Sequence, residues 1–263
     1  MNLSVSQLFL HPLKSAAALE VASLEFDQRG PKFDRQWMVV DQAGKFVTQR
    51  HHAKMCLIQP HMDGTNLSLT APSMSLLSVP QPRQSRSVAI WQDLVTAGDC
   101  GDLAATWLSD YLGFTCRLVV VINDTQRQVD TDYALANETV GFADGFPVLL
   151  VSQASLDEFN SHLDEPIQMQ RFRPNIVIDG CAAYAEDDWQ RLSIGGLELT
   201  LVKPCSRCIM PSIDPATGHK QLQVNAALMA TRRRDRETFF GQNAVHRGVG
   251  SVLVGQAVEL LEA

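Results

Sequence analysis

Short stretches rich in Val, Ile, Leu and Thr recur along the whole chain, and Gly, Pro, Asp and Asn separate them. Residues 37–40 and 45–48 are two such stretches around the turn residues 41–44, a pattern that predicts a β-hairpin. Many short strands between turn signals are typical of barrels and sandwiches. We therefore expect a mainly β fold with a few short helices. Further strands are predicted at 67–70, 87–91, 116–122, 175–178 and 197–202, with a closing strand pair in 252–261.

Helical periodicity replaces this pattern in three segments, 102–112, 152–163 and 225–237. Gly113 can end the first helix, and Ser152 or Ser155 can cap the second. The third is predicted to end in a heavily charged turn. The predicted buried side of the first helix consists of Leu103, Trp107, Leu108 and Tyr111, and that of the second of Leu156, Phe159 and Leu163.

A change of composition near residues 123–126 predicts the domain boundary. An apolar strand precedes these residues and a polar stretch follows them. We expect an N-terminal β-rich module at 1–122 and a second β-rich module at 123–263. The Ser-, Pro- and Gln-rich segment 72–86 is interpreted as a surface loop.

The charge balance restricts the class of partner. The chain has 263 residues and a formal net charge of −7, which argues against general nucleic-acid binding but leaves room for a local basic site for one phosphorylated small molecule. We find no signal-peptide pattern and no apolar run long enough to cross a bilayer. Six cysteines are too few for a disulfide framework. These features predict a cytoplasmic protein, with no membrane partner, whose thiols are free to act as ligands.

The strongest chemical signal is the segment from Cys205 to Cys208, in which two thiols flank Ser206 and Arg207. Close thiols beside a cation suit a soft metal. A structural zinc site would need a second ligand pair at recognisable spacing, and the other cysteines form no second Cys-x-x-Cys. A redox dithiol would need a strand-turn-helix context, which the following prolines disfavour. Two incidental thiols in a turn remain a third reading.

Several spaced motifs place this segment in a wider context. Residues 172–178 (FRPNIVI), 189–195, 203–208 (KPCSRC), 214–218 and 240–243 follow one another in an order that resembles the MOSC domain, the C-terminal module of molybdenum cofactor sulfurases. Residues 11–15 (HPLKS), 33–37 (FDRQW) and 48–50 resemble the β-barrel module that precedes MOSC in the mitochondrial amidoxime-reducing component and its YcbX-like bacterial relatives. The resemblance covers nearly the whole chain, and it implies a β-barrel-like N-terminal module followed by a β-barrel MOSC domain.

The resemblance implies a molybdenum held by one protein thiolate and by a pyranopterin, the molybdenum cofactor. Cys208 matches the ligand position, and Cys205 is the reserve candidate, expected to pack rather than to bind. The remaining residues that the resemblance assigns to the cofactor are Lys14, Ser15, Arg35 and Arg173, with Asp144, Ser152 and Asn175 toward the pterin and Ser206 and Arg207 beside the metal. Thr48 and Arg50 are weaker candidates, because a solvated strand face would also explain their alternation.

The activity that the resemblance implies is reduction of small N-hydroxylated compounds such as amidoximes. YcbX-like proteins of the longer kind carry a ferredoxin module after MOSC, and this sequence has no plant-type cysteine spacing for a [2Fe–2S] cluster. We therefore expect electrons from a separate flavoprotein or ferredoxin. A carrier of molybdenum cofactor or of a cysteine persulfide, without turnover, is the alternative. A zinc-stabilised β protein is a third.

The cluster 232–236, with four arginines, is the other charged feature of the sequence. A solvated helix face is the simpler interpretation, and a docking patch for an acidic electron-transfer partner is the sharper one.

Overall fold

The computed structural model of the chain describes residues 2–262. It confirms the mainly β fold with a few short helices. The α-helices are α1 Gly101–Leu112, α2 Gln153–Asn160 and α3 Leu222–Thr231. The strands are β1 Ser4–Leu10, β2 Leu19–Glu20, β3 Ser23–Asp27, β4 Gly30–Pro31, β5 Trp37–Asp41, β6 Gln59–Asp63, β7 Asn66–Thr70, β8 Leu77–Ser78, β9 Gln84–Ile90, β10 Asp93–Asp99, β11 Cys116–Val120, β12 Val148–Ser152, β13 Ile176–Asp179, β14 Arg191–Ile194, β15 Leu197–Ser206, β16 Arg233–Arg234, β17 Glu237–Arg247, β18 Gly250–Leu253 and β19 Val258–Glu262.

The largest sheet has the order β19-β14-β15-β17-β12-β13-β1-β2, with β16 paired to β17. Its strands come mainly from the second half of the chain, but β1 pairs antiparallel with β13. The parallel pair β12 and β13 lies near its centre and is buried along almost its whole length, as parallel strands usually are. The start of the chain is thus built into the sheet that carries the Cys-x-x-Cys segment at the end of β15.

The first half of the chain forms a four-stranded sheet, β5-β11-β10-β9, and a three-stranded sheet, β6-β7-β8. One apolar cluster packs α1 on this half through Trp107 and Leu108, together with Trp37 from β5 and Leu118 from β11. A third sheet, β18-β3-β4, joins early and late strands.

The predicted hairpin at 37–48 forms, with Asp41 N donating to Lys45 O and Val47 N donating to Val39 O. Helix α1 ends as predicted, since Gly113 adopts a left-handed conformation and its N–H bonds to Ser109 O. Leu103, however, is 64% exposed, and the prediction that it faces the core is wrong. Ala104 and Ala105 are buried on that side instead, because small side chains can pack close to the sheet.

Two other sequence predictions need correction. The helix predicted at 225–237 is displaced: α3 starts at Leu222 and ends at Thr231, after which β16 turns back onto β17. The turn carries Asp235 in a left-handed conformation, so the arginine cluster lies on a hairpin and not on a helix face. The strand pair predicted in 252–261 does not form a pair, because β18 bonds to β3 and β19 bonds to β14.

In residues 2–262 we find no helix with the length and apolar character needed to cross a bilayer.

Candidate functional site

A cavity of about 770 Å³ is lined by residues from both halves of the chain. Cavities of this size commonly hold a small molecule or a cofactor. The wall contains nine of the ten site residues that the sequence predicted, namely Lys14, Ser15, Arg35, Asp144, Arg173, Asn175, Ser206, Arg207 and Cys208. The fold therefore brings together residues that are up to 194 positions apart in sequence, from Lys14 to Cys208.

The two cysteines of the Cys-x-x-Cys segment lie in different surroundings. Cys205 is half-buried in β15 and packs against the apolar cluster that contains Phe172 and Phe240. Burial raises the pKa of the Cys205 thiol, although Arg207 opposes the shift. Cys208 follows the end of β15 and is exposed. Of the two thiols, Cys208 is therefore the more accessible to a ligand in the cavity.

Arg50 connects Cys208 to Asp144. Its Nε lies 3.2 Å from Cys208 Sγ, and its Nη2 donates to Asp144 Oδ2 at 3.0 Å. Burial lowers the pKa of Arg50, but its interactions with Asp144 and Cys208 outweigh burial and the net shift is upward. A guanidinium at this distance stabilises a negatively charged sulfur, and thiolate is the form that binds soft metals.

Asp144 also holds Lys14. The Lys14 ammonium donates to the Asp144 carboxylate and to Phe142 O at 2.8 Å. Burial lowers the pKa of Lys14 to about 8, against the opposing effect of Asp144. For Asp144 burial acts upward, but Lys14 and Arg50 act more strongly and hold the pKa of this carboxyl below its usual range. One ionised carboxylate thus fixes two cationic side chains in the cavity wall.

A second network surrounds Arg35. Its Nη1 donates to Asn175 Oδ1 at 3.0 Å and its Nη2 donates to Arg173 O at 2.9 Å. Asn175 Oδ1 also accepts from Leu149 N at 3.2 Å, while Asn175 Nδ2 donates to Phe9 O at 3.3 Å. Both ends of the Asn175 amide are thus engaged within the protein. Asn175 positions Arg35 and links β1 to the start of β12.

Arg173 is half-buried, and part of its hydrogen-bonding capacity is unused. Nη1 donates to Ala16 O at 2.6 Å, but Nη2 has no partner among the residues that the structure describes. Burial, reinforced by the charge of Arg35, lowers the pKa of Arg173 to about 9. Thr48 Oγ1 is a second buried polar atom of the cavity wall that lacks a partner within 2–262. Burying such groups costs free energy, which an anionic or hydrogen-bonding ligand would recover.

Four residues of the cavity wall have left-handed backbone conformations, which L-residues rarely adopt. They are Ser15 (φ 68°), Arg35 (φ 45°), Trp91 (φ 54°) and Arg173 (φ 57°). Strained conformations of this kind persist when the surrounding structure enforces them, and they are concentrated at functional sites. The backbone is therefore strained at four positions whose side chains line the cavity.

The Arg207 guanidinium donates its hydrogen bonds to backbone carbonyls of the protein. Its Nε and Nη2 donate to Phe240 O at 2.9 and 2.7 Å, and its Nη1 donates to Phe172 O at 2.9 Å. The guanidinium also lies over the Phe172 ring, with 5.4 Å between Cζ and the ring centroid. These contacts anchor the segment that carries Cys208. The neighbouring Ser206 is exposed and lines the cavity.

Ser152 is the one predicted site residue that lies outside the cavity wall. Its hydroxyl caps α2 by accepting from Ser155 N at 3.1 Å, and its backbone N–H donates to Glu186 Oε1 at 3.0 Å. The side chain is fully buried among these partners. The sequence also indicated this helix-capping role, and the structure places the hydroxyl there.

The cavity wall also contains residues that the sequence pattern indicates only weakly or not at all. Thr48 and Arg50 were the weaker candidates, because a solvated strand face would also explain their alternation, but Thr48 is buried and Arg50 contacts Cys208. Trp91, at the end of the predicted strand 87–91, received no site role, yet it is 48% exposed and lines the cavity. The other cationic residues of the wall that the sequence did not assign to the cofactor are Arg171, Lys203, Arg233 and Arg236.

The electrostatic character of the wall is opposite to that of the whole chain. Nine lysine or arginine side chains line the cavity, against the two acidic side chains Asp144 and Glu237, while the formal net charge of the protein is −7. Such a concentration of cations is typical of a site for phosphate or another anion. Within the described residues, no three His, Cys, Asp or Glu side chains come together as a metal site.

Two family models match the chain. Residues 2–115 match the model described as the MOSC N-terminal beta barrel domain, and residues 137–259 match the MOSC domain. The cavity wall includes residues from both matched ranges.

Similar proteins of known name support these matches. The chain is 32% identical over 280 residues to human mitochondrial amidoxime-reducing component 1, an alignment that covers 98% of this chain and 83% of the human protein. The zebrafish (Danio rerio) protein of that name is 32% identical over 271 residues, with coverage of 97% and 83%. Bovine (Bos taurus) molybdenum cofactor sulfurase is 31% identical over 266 residues, which are 92% of this chain and 30% of the sulfurase.

Proposed function

Since the chain belongs to the MOSC family that includes the mitochondrial amidoxime-reducing components, we propose that it binds molybdenum cofactor and reduces small N-hydroxylated compounds. The observation that carries the proposal is the contact between Arg50 Nε and the exposed Cys208 Sγ, 3.2 Å apart in a strongly cationic cavity. A thiolate ligand and a phosphate-bearing pterin both require positive charge around them.

The residues present fit such a cofactor. Cys208 would supply the thiolate ligand, and the unpartnered Nη2 of Arg173 would donate to a phosphate or a pterin carbonyl. The buried Lys14 and the half-buried Arg35 add positive charge in the same wall. When bound, the cofactor would supply the two-electron chemistry needed to remove oxygen from nitrogen.

The protein side chains would bind and orient the reacting groups. Arg50 holds the Cys208 sulfur in place and is itself held by Asp144, so the thiolate is fixed relative to the cavity wall. Arg207 anchors the backbone of the same segment on Phe172 and Phe240. Preorganised groups of this kind lower the cost of arranging the site during each turnover.

We propose that a separate flavoprotein or ferredoxin supplies the electrons. Arg233 and Arg236 line the cavity from the β16–β17 hairpin and are exposed, which suits contact with an acidic partner.

We also propose a cytoplasmic location. All six cysteines are free thiols, and the cytoplasm keeps thiols reduced.

Reduction of benzamidoxime with chemically reduced viologen as the electron donor tests the activity directly. Protein produced in a host that makes the cofactor should form benzamidine, and Cys208→Ser should abolish product formation. Asp124→Asn changes an exposed loop carboxylate and serves as the matched control that retains the activity.

Failure of cofactor-loaded wild-type protein to form benzamidine would contradict the reductase. Bound pterin, or a persulfide on Cys205 or Cys208, in protein that turns nothing over would instead support the carrier function. Stoichiometric zinc without pterin would support a structural metal protein and contradict both.

A further inference from the structure

The β9–β10 hairpin places a tryptophan where a turn favours glycine. Trp91 and Gln92 form the two-residue connection between Ile90 and Asp93, and Trp91 has φ 54°. Two-residue hairpins with positive φ at the first central position usually have glycine there. The indole is also 48% exposed. Trp91 thus combines an unfavourable backbone conformation with an incompletely buried aromatic ring, and the core gains little from it.

The surrounding residues hold this indole in a defined position. Phe46 packs against it with 5.0 Å between the ring centroids, and the guanidinium of Arg50 lies 4.9 Å from the indole centroid. The turn is tethered on its other side, because Asp93 Oδ2 accepts from Arg127 Nε at 2.7 Å. Arg127 in turn donates to Asp144 O at 3.1 Å. The indole is therefore fixed to the same loop that positions Arg50.

Trp91 lines the cavity beside the reactive thiol. The guanidinium of Arg50 lies over the indole ring of Trp91, and its Nε contacts Cys208 Sγ. A single arginine side chain thus separates Trp91 from the candidate metal ligand. The buried Lys14 and the half-buried Arg173 provide the anion-binding part of the cavity, whereas Trp91 provides an exposed aromatic surface.

From this arrangement we propose that Trp91 is a specificity-determining residue that stacks on planar, conjugated N-hydroxylated substrates, such as aryl amidoximes and N-hydroxylated bases, and so favours them over small aliphatic ones. The inference rests on the proposed reductase function and names its substrate class. Aromatic rings and amidine planes stack on indole, and Arg50 on the same ring adds a cation that polarises the stack. The strain in the turn is then the cost of presenting the indole to substrate.

The test compares two substrates that share the reacting group, benzamidoxime and acetamidoxime, in wild-type protein and in Trp91→Gly. Glycine suits the turn, so Trp91→Gly should melt at the same temperature or higher. We expect kcat/KM for benzamidoxime to fall about tenfold, the value of one good stacking contact, while that for acetamidoxime stays within about twofold. Trp91→Phe should retain most of the preference, and Gln92→Ala, in the same turn, should leave it unchanged.

A second readout does not depend on turnover. Trp37, Trp107 and Trp189 are buried, so benzamidoxime should quench mainly the emission of Trp91, and Trp91→Phe should lose this quenching. Equal losses for both substrates in Trp91→Gly, or no loss for either, would overturn the assignment of Trp91. Absence of turnover in wild-type protein that still shows Trp91 quenching would contradict the reductase and leave the aromatic binding surface standing. Absence of both quenching and a substrate-selective loss would contradict the binding surface itself.

Discussion

Arg50 Nε lies 3.2 Å from Cys208 Sγ, although the two residues are 158 positions apart in sequence. Arg50 comes from the N-terminal half of the chain and Cys208 follows strand β15 of the large sheet. The contact joins the two halves at the candidate metal ligand, and Asp144 holds the same guanidinium from a third segment. The site is therefore complete only when both halves are folded together.

Replacement of Arg50 tests whether this guanidinium activates the thiol. In Arg50→Gln the sulfur loses a charge-assisted partner, so we expect Cys208 in cofactor-free protein to react with iodoacetamide about threefold to tenfold more slowly. Arg191→Gln removes an exposed arginine that pairs with Glu198 and Glu262, and it should not change the rate. An unchanged rate in Arg50→Gln would show that the contact does not act on the thiol.

Asp144 makes stability depend on acid pH. Burial raises the pKa of Asp144, but Lys14 and Arg50 lower it further, so its folded pKa lies below the unfolded value. The stabilisation is fully present above the unfolded pKa, about pH 4, and is lost as pH falls through the folded pKa. Wild-type protein should therefore melt above Asp144→Asn at about pH 7, by a margin that shrinks toward about pH 2. Asp124→Asn, at an exposed position, should show no such trend.

Replacing Arg173 or Arg207 with methionine should affect the stability of the protein differently. Arg173→Met removes a guanidinium that has one buried, unpartnered nitrogen, so the cofactor-free variant should melt at the same temperature or higher. Purified from a host that makes the cofactor, the variant should contain less cofactor than wild-type protein. Arg207→Met strips the partners from the carbonyls of Phe172 and Phe240 and should cost about 2–4 kcal/mol in urea unfolding. Loss of stability in Arg173→Met with normal cofactor content would contradict the ligand-binding role.

Gly241 allows β17 to lie close to β12. It has φ 75°, and an added Cβ would lie 2.6 Å from Val151 Cγ2 and 2.7 Å from Leu150 O. We expect Gly241→Ala to destabilise the protein by about 2–4 kcal/mol, from the combined conformational and packing costs. Gly64, with φ 56° and open space around it, is the matched control, and Gly64→Ala should cost about 1 kcal/mol. Equal losses of unfolding free energy in Gly241→Ala and Gly64→Ala, measured by urea unfolding, would show that the close approach of β17 to β12 does not contribute to stability.

The sequence predicts the parts of this protein that local patterns determine. Alternation and turn residues indicate the mainly β fold, and Gly113 marks the end of α1. The order of the motifs identifies the family, and nine of the ten residues assigned from it reach one cavity. These features depend on residues close together in the chain or on short motifs that can be compared directly.

The remaining parts depend on contacts between distant segments. Alternation cannot tell whether Thr48 and Arg50 face solvent or a cavity, because β15 and the 142–146 loop supply the surroundings. Trp91 has the large apolar side chain of a typical core residue. Its ring is exposed because Trp91 lies at the β9–β10 turn, which the sequence does not locate relative to the cavity. Helix α3 ends before the predicted position because Arg233 and Arg234 form strand β16, which pairs with β17. The charged sequence of this segment does not indicate a strand.

Molybdenum and pterin content, measured in wild-type protein, Cys208→Ser and Cys205→Ser purified from a host that makes the cofactor, tests the central claim most directly. Cys208 is exposed beside Arg50, whereas Cys205 packs in the apolar cluster. We predict near-equimolar molybdenum and pterin in wild-type protein and in Cys205→Ser, with molybdenum lost in Cys208→Ser. Molybdenum retained in Cys208→Ser, or zinc in place of molybdenum in the wild-type protein, would contradict Cys208 as the ligand of a molybdenum cofactor.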